Sequence, residues 1–281
     1  MVKNSIYSAL AAAVLFTGFA SQLHAAGNIM VTPTRIVFDQ RDRSAQVTLV
    51  NQSDKAGNFR ISFIRQNMTP NGDFVPVEEG EPGRFSDPMI RYSPRQITLP
   101  PGQSQVVRLV LRRPADLADG EYRSHMLFQS LPEPSSSNVE KITQQSAEGI
   151  TIELIPIIGV SIPVIVRQGE LNSQISLSNA ELVNDAAGGT SRIAVDINRQ
   201  GNGSAYGDLR ATFVPANATP IVIAQANSVA VYANMAMRRF EMPVTLPSGY
   251  NLVDGTVDMV FLESGASEES GTLARTRLML K

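Results

Sequence analysis

From Gly149 to Arg167 the chain reads GITIELIPIIGVSIPVIVR, and every even-numbered position from Ile150 to Val166 is apolar. A period of two sustained over this distance describes one face of a β-strand and not a helix. The odd positions mix Thr151, Glu153, Ser161 and Arg167 with Ile155, Ile157, Pro163 and Ile165, so the two faces differ. An ordinary strand ends after about five or six residues. This one therefore either outruns its own domain or is two shorter strands broken at Gly159. Pro156 and Pro163 have no amide hydrogen to give to a ladder, which favours an edge position. An apolar edge strand is an aggregation hazard unless something pairs with it. Two readings stand: an ordinary core strand, or a strand offered to another protein.

The rest of the chain sets this strand in context. IMVTPTRIVF, SAQVTLVN, NFRISFIRQN, MIRYSPRQITL, QSQVVRLVLRR and EYRSHMLFQSL precede it, each rich in β-branched or aromatic residues and bounded by turn formers. Val47 and Leu49, with Val107, Leu109 and Leu111, alternate with polar neighbours and are expected in a first core. Residues 131–148 are polar and aperiodic, which predicts a long connection. After Gly169 the pattern restarts with runs such as RIAVDINRQG, DLRATFVP, TPIVIAQA and TVDMVFLES. The fold class read from this is all-β, with two immunoglobulin-like β-sandwich domains. Residues 1–25 are expected to be a signal peptide, 26–168 the first domain with the long strand, and 169–281 the second.

Lys3, an apolar run from Ile6 to Ala20 and the sequence Ser21-Gln22-Leu23-His24-Ala25 fit a secretory signal cleaved after Ala25. An exported chain with no membrane insertion follows. The chain has no cysteine, so an oxidising compartment is used without disulfides and the cores must hold themselves. With a formal net charge of -2 and no run of basic residues, nothing suggests nucleic acid. Catalytic chemistry is thinly supplied, because His24 lies in the leader and His125 is the one other histidine. No Gly-x-Ser-x-Gly elbow, metal-ligand spacing or phosphate-binding loop accompanies it. His125 reads as a structural residue, packing or hydrogen-bonded inside the first sandwich. No catalytic residue, no metal site and no cofactor are expected, and the chain does not read as an enzyme.

Thr34-Arg35-Ile36-Val37-Phe38, then Val47-Thr48-Leu49-Val50-Asn51-Gln52, then Ile97-Thr98-Leu99-Pro100-Pro101-Gly102-Gln103-Ser104-Gln105-Val106-Val107-Arg108 together resemble the periplasmic chaperones of the chaperone-usher pilus pathway. The resemblance covers the first domain by motif and the second by position and class. It implies a periplasmic protein whose two immunoglobulin-like domains form a boomerang. Its partners would be pilus subunits, each completed by a lent strand before transfer to an outer-membrane usher. By this resemblance the donor strand carries Ile150, Ile152, Leu154, Pro156 and Ile158. Burying four or so such side chains is worth roughly 1.5–3 kcal/mol each in gross transfer terms, before the costs of association.

The family also anchors the subunit's terminal carboxylate with an arginine on the first strand and a lysine on the last. Arg35 matches the arginine, but Pro163 stands where the lysine would be. Arg123 and Arg113 are the candidates to replace it. The missing lysine, the absence of cysteines and the run Gly120-Glu121-Tyr122-Arg123-Ser124-His125 resemble the archaic or alternative branches of the family. The rival reading is an exported pilin or adhesin subunit. It fits less well, because Asn28 passes almost at once into a strand-like run and leaves no donor extension. An exported enzyme working through His125 is a further rival that no motif supports.

Overall fold

A computed structural model describes residues 29–131, 144–145, 151–152, 157–184, 191–248 and 250–280. The expected leader, 1–25, lies outside the described residues. The first sandwich begins with β1 (Ile29–Thr32), β2 (Ile36–Phe38), β3 (Ser44–Asn51) and β4 (Gly57–Ile64). A small hairpin of β5 (Gln66–Met68) and β6 (Phe74–Pro76) follows, and then β7 (Ile90–Ser93), β8 (Gln96–Leu99), β9 (Ser104–Leu111) and β10 (Gly120–Leu131). The short pair β11 (Gln144–Gln145) and β12 (Thr151–Ile152) leads to β13 (Gly159–Gln168). One sheet runs β1-β3-β9-β7 and the other β2-β13-β10-β4-β8.

Between these sheets the alternation read from sequence holds: Val47, Leu49, Val107, Leu109 and Leu111 are buried with Phe38, Phe59, Phe128, Ile162, Val164 and Val166. Side chains of opposite parity point the other way, as the pleat requires. Asn51 ties the end of β3 to a loop, its side-chain amide donating to the carbonyls of Lys55 (2.7 Å) and Leu99 (2.8 Å).

The second sandwich comprises β14 (Ser173–Val183), β15 (Arg192–Gly201), β16 (Ala205–Pro215), β17 (Ile221–Val231), β18 (Met237–Pro243), β19 (Gly255–Glu263) and β20 (Thr272–Leu280). Its sheets are β14-β15-β18 and β17-β16-β19-β20. Ile193, Val195 and Ile197 face Leu209, Ala211, Phe213, Val257, Met259 and Phe261 across its core. Met68 of the β5–β6 hairpin and Ile165 of β13 are buried in this same cluster, and Val37 packs against it. The two sandwiches therefore share apolar surface, and three elements of the first contribute to it.

The long strand departs from its simplest reading. The strand described begins at Gly159, residues 157 and 158 are irregular, and Thr151–Ile152 pairs with Gln144–Gln145. Residues 153–156, on which the choice between the two alternatives for its length turns, lie outside the described residues. The edge position read from Pro163 holds over half of β13, and Pro156 lies outside the described residues. The strand lies between β10 and β2, but β2 pairs only with Val164–Val166, leaving Gly159–Pro163 unpaired on that side among the described residues. Within the connection expected over 131–148, Leu131 closes β10 and residues 144–145 form β11.

Candidate functional site

Even-numbered residues of β10 and β13 fill the first core, so the odd-numbered ones face outward. Register then fixes their neighbours: Glu121 lies opposite Arg167, Arg123 opposite Ile165, and His125 opposite Pro163. Val37 of β2 pairs with Ile165 from the other side, and Arg35 has the parity of Val37. One face of one sheet thus carries Arg35, Glu121, Arg123, His125 and Arg167, and this is the face the second sandwich covers.

Two tyrosines of the second sandwich meet two of these arginines. The Arg35 guanidinium lies over the Tyr206 ring at 4.2 Å, and that of Arg123 over Tyr232 at 3.6 Å. Glu121, only 4% exposed, accepts from the Ser204 hydroxyl and, at 3.4 Å, from the Ser204 amide. The same hydroxyl accepts from the Ala233 amide at 3.0 Å, and Arg167 Nε lies 3.6 Å from Glu121. Burial lowers the Arg35 pKa from its ordinary value, with Tyr232 and Glu121 opposing the shift. Burial likewise brings Arg123 down to about 10, which leaves it a cation at neutral pH. Tyr232 is pushed up by burial against the pull of both arginines.

These cations outnumber their partners. Among the described residues, Arg35 Nη1 and Nη2 and Arg123 Nε and Nη1 are buried without a hydrogen-bond acceptor, and Arg123 Nη2 donates to the Gln66 carbonyl at 3.2 Å. Stacking on tyrosine returns about 0.5–2 kcal/mol for each cation. A buried donor left unpaired costs about 1–3 kcal/mol, and more when charged. The donor set suits an anion with several lone pairs, and the guanidinium fork matches a carboxylate best. A cavity of about 260 Å³, lined among others by Asn67, Arg84, Glu121, Arg123, Asn202 and Asn234, opens beside Arg123.

The β5–β6 hairpin closes one side of this region. Beyond Met68, it accepts from the Arg239 amide at the Pro70 carbonyl (2.8 Å), and its Asn67 side chain accepts from Asn234 at 3.2 Å. Phe74 makes an edge contact with His125 at 5.0 Å between ring centroids and lies 6.2 Å from Tyr232.

The structure brings Arg35 and Arg123 to one place and puts Arg113 in another. Arg113 donates to the carbonyls of Gln40 (3.1 Å), Asp42 (2.9 Å) and Asp39, and so holds the turn after β2. Of the donor positions, Ile158 is 38% exposed beside Ile157 at 54%, and its backbone exchanges hydrogen bonds with Ser130. Ile152 is described only as part of β12, and Ile150, Leu154 and Pro156 lie outside the described residues. His125 is buried as expected, but on the outward face of its sheet, packed on Phe74, with neither ring nitrogen hydrogen-bonded. Phe74, Tyr206 and Tyr232 carry no signal in the sequence, and Glu121 enters it only as part of the run from Gly120 to His125. Polar residues at 121, 123 and 125 alternate with apolar ones as on any solvated strand face. The second sandwich and the β5–β6 hairpin make them buried.

No protein-family model matches the chain, and no curated protein does. Solved structures similar to it include a class 5 fimbriae chaperone, CfaA, 15% identical over 90% of this chain and 99% of its own, with a TM-score of 0.42. The E. coli chaperone DraB is 12% identical over 90% and 96%, with a TM-score of 0.40. The SafB chaperone, solved with the Salmonella enterica SafA pilin, is 12% identical over the same shares, with a TM-score of 0.41. Likeness at this level assigns neither an activity nor a site.

Proposed function

We propose that this protein is a non-enzymatic periplasmic chaperone that completes pilus subunits with its own strand and passes them to an outer-membrane usher. The observation that carries this reading is a juxtaposition. The open edge of β13, Gly159–Pro163, leads toward the guanidinium donors of Arg35 and Arg123 that lack acceptors among the described residues. A partner strand laid along that edge would find backbone groups to pair with and, at its end, two cations for its terminal carboxylate. Ile150, Ile152, Leu154, Pro156 and Ile158 continue the row of even positions that fills the chaperone's own core from Val160 onward, and would fill the partner's instead. Arg123 takes the part of the missing lysine, since its neighbour Ile165 is two residues from Pro163 on the same face. Arg113 is not part of this anchor.

The test is co-purification of the exported chain with a co-expressed small β subunit, set against an Ile152→Asp, Leu154→Asp double variant. A one-to-one complex lost in the variant supports strand donation. A protein that binds no subunit and instead polymerises would favour the pilin reading. Arg35→Ala and Arg123→Ala should each weaken the complex at least tenfold, with less than additive loss when combined because both act on one group.

A further inference from the structure

His125 is the most buried polar side chain on the cleft face, at 2% exposed, and neither of its ring nitrogens has a partner among the described residues. It is two residues from Arg123 on the same strand face, directly opposite Pro163, where β13 ceases to be covered by β2. Same-face neighbours on a strand lie about 7 Å apart, so one carboxylate between them is within reach of both side chains. We propose that His125 is a third donor of the carboxylate anchor, giving its imidazole N–H to the chain end that Arg35 and Arg123 bind. This rests on the anchor reading above and adds a residue to it.

Three features fit that role. Burial and the Arg123 guanidinium bring the His125 pKa down to about 4, so the ring is neutral at pH 7 and carries one N–H and one bare nitrogen. A neutral donor adds a hydrogen bond to an anion without a third positive charge beside two guanidiniums. Phe74 meets the ring by an edge contact and is itself 41% exposed, so a partly exposed side chain of the hairpin packs on the imidazole. Finally, a buried imidazole without hydrogen bonds is costly on purely structural grounds. A phenylalanine would pack against Phe74 without that cost.

The test uses a short acetylated peptide of alternating valine and threonine, made with a free terminal carboxylate and again as the carboxamide. Binding of both is measured to the chain without its first 25 residues, whose one histidine is then His125. The wild type should prefer the carboxylate form. His125→Phe should reduce that preference about tenfold, the worth of one hydrogen bond to a charged group. His125→Gln, which keeps a neutral donor, should restore part of it. Full preference in His125→Phe, with loss in Arg35→Met and Arg123→Met, would overturn the third donor and leave the anchor standing. No change in any of the three would remove the anchor itself. Should His125→Phe fail to fold, the imidazole nitrogen resonances of the wild type decide. They should move with the carboxylate peptide and not with the carboxamide, and resonances indifferent to both would overturn the proposal.

Discussion

Arg199 is 6% exposed and spends its guanidinium entirely on backbone: it donates to the carbonyls of Met235 (2.9 Å), Gly201 (2.8 Å), Gly203 (2.9 Å) and Ala233 (2.9 Å). Those carbonyls belong to the two loops that present Ser204 and Tyr232 to the first sandwich. Arg199→Met should therefore cost about 3–5 kcal/mol in chemical denaturation, since it strands several buried carbonyls at once. Arg199→Lys should recover little of that, because an ammonium lacks the planar fork. His125 makes a second case at this scale. Its folded pKa of about 4 lies below the ordinary 6.5, so its stabilising contribution is complete above pH 6.5 and is lost as the pH falls toward 4. Wild type should lose roughly 3 kcal/mol more than His125→Gln across that interval, read from urea midpoints at each pH. An equal loss in both would mean the imidazole is not desolvated.

Among elements, β16 and β19 meet at Gly207 with no room for a side chain. A Cβ on Gly207 would overlap the Leu262 carbonyl oxygen, at a place where the register of β16 against β17 slips between Gly207 and Leu209. Gly207→Ala should destabilise the second sandwich by about 2–4 kcal/mol, seen as a fall in thermal midpoint, by forcing two backbones apart. The strands themselves were largely legible, because alternation in stretches such as Ser44–Asn51 and Ser104–Leu111 reports directly which side chains are buried. The β5–β6 hairpin was not. Pro70-Asn71-Gly72-Asp73 marks a turn, but Gln66–Met68 and Phe74–Pro76 are too short for any period to appear. Their importance comes from Met68 entering the other sandwich's core. In the same way Arg35 and Arg123 could be named as candidates, whereas the tyrosines beneath them could not. A cation over a ring 171 or 109 residues away leaves no trace in local spacing.

At the scale of the molecule, one carboxylate joins the halves. Glu121 reaches Ser204 and through it Ala233, and its charge also acts on Arg35, Arg123 and Arg199. Glu121→Ala should leave buried arginines uncompensated and cost about 3–5 kcal/mol. It should also split a single calorimetric transition into two, one for each sandwich. Persistence of one sharp transition would mean that the apolar contacts of Met68 and Ile165 suffice to couple them. The β2–β13 pairing makes the open half of β13 finite. β2 occupies the ladder only from Val164, and Pro163 offers no amide hydrogen just before it. Any strand added along Gly159–Ser161 runs into that obstruction and cannot slide past. The fold thus carries a mechanical stop that measures off how far a neighbour may zip on, turning an otherwise indefinite edge into a slot of set length and register.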